Sequence, residues 1–175
     1  MNPDQSRLTS DQFRNAPKAP VRVVLENIRS GINVGSFFRT ADAFRLDAIH
    51  LCGYTAQPPH RDILKSALGA SEHVTWWHHE STEEAVVKLR KDGYQIAVIE
   101  QTSSSVMLTN WTPQPGEKWA FVFGNEVRGV EASTCHAADT CIEIPQFGVK
   151  QSLNVSVCGG IILWDAVRKI GLPPS

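Results

Sequence analysis

The chain has 175 residues, 42% of them hydrophobic, and a formal net charge of −1. That length supports one domain with a real core, and the composition excludes a wholly disordered chain. No apolar run reaches bilayer length, and there is no basic excess of the kind a nucleic-acid binder usually carries, so any such function must be argued from a site.

Residues 1–20 read as a polar, basic arm with no secretory pattern, carrying Arg7, Arg14 and Lys18. Cys52, Cys135, Cys141 and Cys158 show no metal-binding spacing, so reduced thiols and a cytoplasmic location are expected. His78-His79 has no partner motif and reads as a surface turn, and no metal is expected.

Residues 21–175 read as a single α/β domain. Val21 to Glu26 is short and β-branched, hence a buried strand. Asn33 is a plausible cap for a helix from Val34 to Phe44. Strands follow at Ala48 to Cys52 and His73 to Trp77, with a short helix over Asp62 to Leu68. Ser81-Thr82-Glu83-Glu84 is a capping box, and Gly93 ends that helix. Tyr94 to Glu100 is a fourth strand, Gln101 to Glu117 the longest loop, and Trp119 to Phe123 a fifth strand. A short helix near Val130 to Ala138, a strand from Thr140 to Ile144 and a helix from Leu153 to Lys169 complete the series. Gly171 and the final prolines stop it. Strands alternating with helices predict a mainly parallel sheet.

In such a sheet, ligands bind beyond the carboxyl ends of the strands. Three strand-to-loop junctions have a suitable composition. Glu26 to Phe44 offers Asn27, Arg29, Asn33 and, on the helix, Arg39, whose planar fork suits a phosphate or carboxylate. Phe123 to Val130 places Gly124, Asn125 and Glu126 at a strand end. Ile142 to Gly160 brings Pro145, Gly148, Ser152, Leu153 and Asn154 to the mouth of a helix. Each junction has an ordinary structural alternative: a glycine turn, a plain β-to-α turn, a capped helix. The adjacent Gly159-Gly160 pair is costly inside a helix, at about 1 kcal/mol per glycine, and implies tight packing or a subunit contact.

Taken together, three stretches resemble the SpoU/TrmH family of the SPOUT superfamily, RNA 2′-O-ribose methyltransferases that use S-adenosylmethionine. They are Asn33-x-Gly35-x-x-x-Arg39-Thr40-Ala41, Phe123-Gly124-x-Glu126-x-x-Gly129, and Ile144-Pro145-x-x-Gly148-x-x-x-Ser152-Leu153-Asn154-Val155-Ser156-Val157. A smaller Ser66-x-x-Gly69-Ala70 element also matches. The resemblance implies a SPOUT-type α/β fold with helices on both faces and a deep C-terminal trefoil knot. It implies a homodimer with the site near the interface, and no metal.

By the same resemblance, S-adenosylmethionine would lie against Ile99, Glu100, Gly124, Ile144, Ser152 and Leu153. Arg39 would be the catalytic arginine, with Asn33, Glu126, Ser152 and Asn154 around it. Asn27, Arg29, Arg39 and Arg22 are the expected RNA contacts. Arg39 could clamp a phosphate or act as a base with the help of that phosphate, and Glu126 could orient Arg39, bind the ribose or hold its loop. The expected substrate is RNA, with tRNA favoured over ribosomal RNA. A non-catalytic RNA-binding protein of the same fold is a competing reading. A nucleotide-binding oxidoreductase is disfavoured by the missing G-x-G-x-x-G.

Overall fold

The structure is a computed structural model that describes residues 8–150 and 152–171, so Arg7 and the terminal prolines lie outside the described residues. Seven strands form one sheet: β1 Ala19–Glu26, β2 Leu46–Cys52, β3 Trp76–His79, β4 Tyr94–Ile99, β5 Val106–Met107, β6 Lys118–Phe123 and β7 Thr140–Glu143. Their order is β3-β2-β1-β6-β4-β7-β5, and every neighbouring pair is parallel. Six α-helices accompany them among the described residues: α1 Ser10–Asn15, α2 Gly31–Ala43, α3 Arg61–Ala67, α4 Thr82–Lys91, α5 Ala132–Ala137 and α6 Val155–Ile170.

Side-chain alternation along β1 divides the core between the two faces of the sheet. Val21, Val23 and Leu25 point to one face, where Phe37 and Phe38 of α2 and Ile162, Leu163 and Ala166 of α6 cover them. Val24 points to the other, beneath Ala85, Val86 and Leu89 of α4. No helix among the described residues is long and apolar enough to cross a membrane.

Several sequence expectations shift. The polar arm contains α1, closed by a capping box at Thr9 and anchored by the buried Phe13. Its described basic groups are engaged: Arg14 Nη2 donates to Glu72 O over 3.0 Å, and Lys18 Nζ donates to Phe13 O. The third strand starts later than expected, so His78 and His79 lie on β3 rather than in a surface turn. His79 Nε2 sits 2.9 Å from Nδ1 of His50, which is fully buried on β2. The long loop holds the two-residue strand β5, paired to β7.

The Gly159-Gly160 pair separates into two roles. A Cβ on Gly159 would lie 2.2 Å from Phe37 Cε1, so α2 and α6 touch where a methyl cannot fit. A Cβ on Gly160 would meet nothing within 4 Å. Gly160 belongs instead to an exposed apolar stripe of α6, made by Val157, Ile161 and Trp164. Near its end, α6 is fixed to the long loop by Lys169, whose Nζ donates to Leu108 O and Trp111 O, both at 2.8 Å.

Candidate functional site

The carboxyl ends of β4, β6 and β7 surround a cleft of about 470 Å³. Ile99, Glu100, Gly124, Ile144, Ser152 and Leu153 all line it, as do Glu126 and Asn154. Ile99, Ile142, Ile144 and Leu153 supply apolar wall, and Glu100, Glu126 and Glu143 supply carboxylates. The thiol of Cys158 also faces the cleft, but burial pushes its pKa up to about 12, so it is a neutral wall rather than a nucleophile.

One chain of hydrogen bonds joins the three loops. Glu126 Oε1 accepts from Ser30 N at 3.2 Å and Asn33 Nδ2 at 3.0 Å, and Oε2 accepts from Arg29 N at 3.1 Å. Asn154 Nδ2 in turn donates to Asn33 Oδ1 at 3.3 Å. The helix caps set these positions. Ser30, not Asn33, caps α2, with its Oγ accepting from Asn33 N. That leaves the Asn33 side chain free to bridge the other two loops. Asn154 caps α6 through Oδ1, which accepts from Ser156 N and Val157 N, and so spends its amide NH₂ on Asn33.

Burial works to raise the pKa of Glu126, but the hydrogen bonds from backbone N–H groups and Asn33 outweigh it and hold the carboxyl below its usual range. A carboxylate so held is a loop clamp and a weak base.

The loop carrying Glu126 is itself built by Asn125, Gly124 and Glu100, which the sequence placed at these junctions, and by Glu26, for which it gave no site role. Asn125 Oδ1 accepts from Val127 N and Arg128 N, and its Nδ2 donates to Asn27 O and Tyr54 Oη. Gly124 is required on steric grounds, since a Cβ there would lie 2.3 Å from Gly129 C. Two further carboxylates fasten the loop to the strand ends. Glu100 Oε2 accepts from Val130 N at 3.0 Å. The buried Glu26 accepts from Glu131 N at 2.8 Å and Thr134 Oγ1 at 2.6 Å. The signal for Glu26 was its charge directly after the apolar Val23-Val24-Leu25 run.

Arg39 stands apart from the cleft of its own chain. It is exposed on α2, and no hydrogen bond or ion pair joins it to another described residue. Helical periodicity puts it on one stripe with Ile32 and Ser36. Glu126 therefore does not orient Arg39 within the chain.

Two of the expected RNA contacts already have protein partners. Arg22 lies near the amino ends of the strands, at the opposite edge of the sheet. Its Nε is 2.6 Å from Asp47 Oδ2 and its Nη1 2.7 Å from Asp92 Oδ2, and its guanidinium packs on the Tyr94 ring. Two carboxylates already neutralise that cation. Asn27 is likewise committed: its Nδ2 donates to Glu131 Oε1, and its Oδ1 accepts from Tyr54 N. Arg29 remains exposed beside the cleft.

With this geometry in place, likeness to known proteins becomes informative. The profile of the SpoU rRNA Methylase family matches residues 20–164. The chain belongs to this family. Within it, the chain is 27% identical over 171 residues to the tRNA (guanosine(18)-2′-O)-methyltransferase of Borreliella burgdorferi, covering 95% of this chain and 75% of that protein. It is 28% identical over 159 residues to the 23S rRNA (guanosine-2′-O-)-methyltransferase of Neisseria meningitidis, covering 91% of this chain and 62% of that protein. Among solved structures, the AdoMet-bound rRNA methyltransferase from Sinorhizobium meliloti superposes with a TM-score of 0.80 at 26% identity, covering 89% of this chain and 59% of that one. The chain thus spans less than two thirds of the last two family members. The parallel sheet with helices on both faces is the SpoU family architecture.

Proposed function

We propose that this chain transfers a methyl group from S-adenosylmethionine to a ribose 2′-hydroxyl of RNA, with tRNA as the substrate. The observation that carries the reading is the Glu126–Asn33–Asn154 chain, in which Asn33 ties its own loop to the two loops whose Glu126 and Asn154 line the cleft. The cleft suits the cofactor. Its volume of about 470 Å³ fits a ligand of that size, Ile99, Ile142, Ile144 and Leu153 give it apolar wall, and Glu100, Glu126 and Glu143 complement a sulfonium cation.

S-adenosylmethionine supplies an already activated methyl group. Held there, it would give that methyl to the ribose oxygen, a carbon–sulfur bond being exchanged for a carbon–oxygen bond, with a neutral thioether left and the hydroxyl proton released. The protein's share of the work is therefore alignment and the removal of one proton. Ile99, Glu100, Gly124, Ile144, Ser152 and Leu153 hold the cofactor. Asn33 and Asn154 each keep one amide N–H beyond these bonds for the ribose, Ser152 offers its hydroxyl, and Glu126 keeps Asn33 in place. Arg39 is always charged and serves as a phosphate clamp rather than a base, and the proton leaves to solvent at the open mouth of the cleft.

The active form is a homodimer. In support, Ile32 on α2 and Val157, Ile161 and Trp164 on α6 are exposed, and Gly160 between them leaves room for close approach. In that dimer Arg39 of one subunit would act at the other subunit's loops, which its exposure on the α2 stripe with Ile32 supports. Arg39 and Arg29 then grip the RNA backbone, with binding that weakens steeply as salt rises. We read residues 21–175 as one domain, and in support the described part of the arm packs on it through Phe13. β7 enters the sheet between β4 and β5, which supports a threaded knot. Four free thiols support a reducing, cytoplasmic location.

Two measurements test the proposal together. Calorimetry should show S-adenosylmethionine binding. Radiolabelled methyl transfer to unfractionated tRNA should yield 2′-O-methylated nucleosides, and Arg39→Ala should abolish transfer while cofactor binding persists. Methylation of ribosomal RNA alone would move the substrate assignment, and cofactor binding without any transfer would favour a non-catalytic RNA-binding role.

A further inference from the structure

Beyond the cleft, the structure presents an aromatic ring that neither the fold nor the methyl-transfer wall uses. We infer that Tyr54 is a stacking platform for an RNA base next to the nucleotide being methylated, an inference that rests on the RNA reading above. Tyr54 follows β2 at the carboxyl edge of the sheet, and 60% of it is exposed.

Its polar end is fixed while its ring is left bare. Tyr54 Oη accepts from Asn125 Nδ2 at 2.9 Å, and Tyr54 N donates to Asn27 Oδ1 at 3.3 Å. Unusual backbone on both sides serves this placement. Asn27 has φ +56°, and Gly53 has φ +63° with no room for a Cβ, which would lie 2.1 Å from Asn27 Oδ1. Left-handed backbone at a non-glycine residue is a cost that clusters at functional sites.

The location fits RNA rather than cofactor. Tyr54 is absent from the cleft wall, yet its partner Asn125 is on that wall and adjoins Glu126. A ribose seated at Asn33 and Asn154 would leave the base of a flanking nucleotide within reach of this ring. Other exposed aromatics have different settings. Trp77 lies under the cations of Arg22 and Lys88, Trp164 lies on the α6 stripe against Phe44, and Phe147 is 97% exposed with no ring contact among the described residues to fix it. A ring immobilised in advance gives up little entropy on binding, and a base of any identity can stack on it.

The test uses the full chain labelled with 3-fluorotyrosine. The sequence has two tyrosines. Tyr94 is buried, with its hydroxyl on Asp47, and serves as an internal control. On titration with unfractionated tRNA from source cells lacking the gene, the Tyr54 fluorine signal should move and the Tyr94 signal should not. In parallel, Tyr54→Ala should raise KM for tRNA roughly 5- to 150-fold, the range expected from losing one stacked base, with KM for S-adenosylmethionine unchanged. Tyr54→Phe keeps the ring and should recover most of that loss.

An unmoved Tyr54 signal in tRNA-bound protein would overturn the inference and leave the methyltransferase reading intact. Tyr54→Phe failing as badly as Tyr54→Ala would reduce Tyr54 to a clamp on Asn125. Failure of the unsubstituted chain to bind or methylate any RNA would remove the functional reading, and the inference with it.

Discussion

Asn33 Nδ2 donates to Glu126 Oε1 over 3.0 Å, joining residues 93 positions apart in the chain. Hydrogen bonds to a charged acceptor are worth about 1.5–3 kcal/mol when well shielded, and less at an exposed edge such as this. Glu126→Ala should therefore cost about 1–2 kcal/mol of stability. Because Asn33 also carries the contact to Asn154, a larger share of methyl transfer should be lost. In a double-mutant cycle, Asn33→Ala and Glu126→Ala should be clearly non-additive in the urea midpoint. Simple additivity would mean the two side chains do not cooperate. The carboxyl lies below its usual range in the folded chain, so its contribution is present at neutral pH and fades as acid protonates it.

The glycine pair on α6 gives opposite expectations for adjacent residues. Gly159→Ala drives a methyl into Phe37 and should destabilise the chain by about 1–3 kcal/mol, an overpacking cost. Gly160→Ala meets open space and should leave thermal stability of the isolated subunit unchanged or slightly raised through helix propensity. Differential scanning fluorimetry of the two variants separates these outcomes.

If the α6 stripe is the dimer face, charge on it should prevent pairing. Ile161→Asp should convert a dimer to a monomer in sedimentation and reduce methyl transfer at least tenfold, with the far-ultraviolet spectrum unchanged. Ile161 is partly exposed in the single chain, so its replacement spares the core. A fully active monomer would contradict the proposed role of Arg39 across the interface.

His50 sets an acid limit. Burial, then the neighbouring His79, Arg22 and Lys88, lower its pKa to about 3. Its unfolded value is about 6.5, so between the two the unfolded chain binds the extra proton. The stability that depends on neutral His50 is thus fully present above about pH 6.5 and declines as pH falls toward about 3. Urea midpoints at pH 7.5 and pH 5 should show that decline, and His50→Phe should flatten it.

The parts of the fold legible in sequence were those with a single physical cause. The apolar runs of β1, β4 and β6 could only be buried strands, and Ser81 and Gly93 marked both ends of α4. What failed depended on tertiary partners. α1 is a single polar helix held by one residue, Phe13, and no periodicity reveals it. β5 is two residues long and exists because β7 lies beside it. Asn33 was read as a cap because asparagine caps well, but Ser30 takes that role and frees Asn33 for the site. Arg22 was read as an RNA contact, yet two carboxylates brought together by folding already bind it. The loops of the candidate site were recognisable as motifs. The hydrogen-bonded chain through Glu126, Asn33 and Asn154 was not, because its members come from three distant segments.

The central claim, methylation of an RNA ribose, meets its most direct test in cells. Mapping 2′-O-methyl positions across total RNA, with and without the gene, should show one tRNA position lost on deletion and restored by the intact gene but not by Arg39→Ala. An unchanged 2′-O-methyl map in the deletion strain would contradict the account.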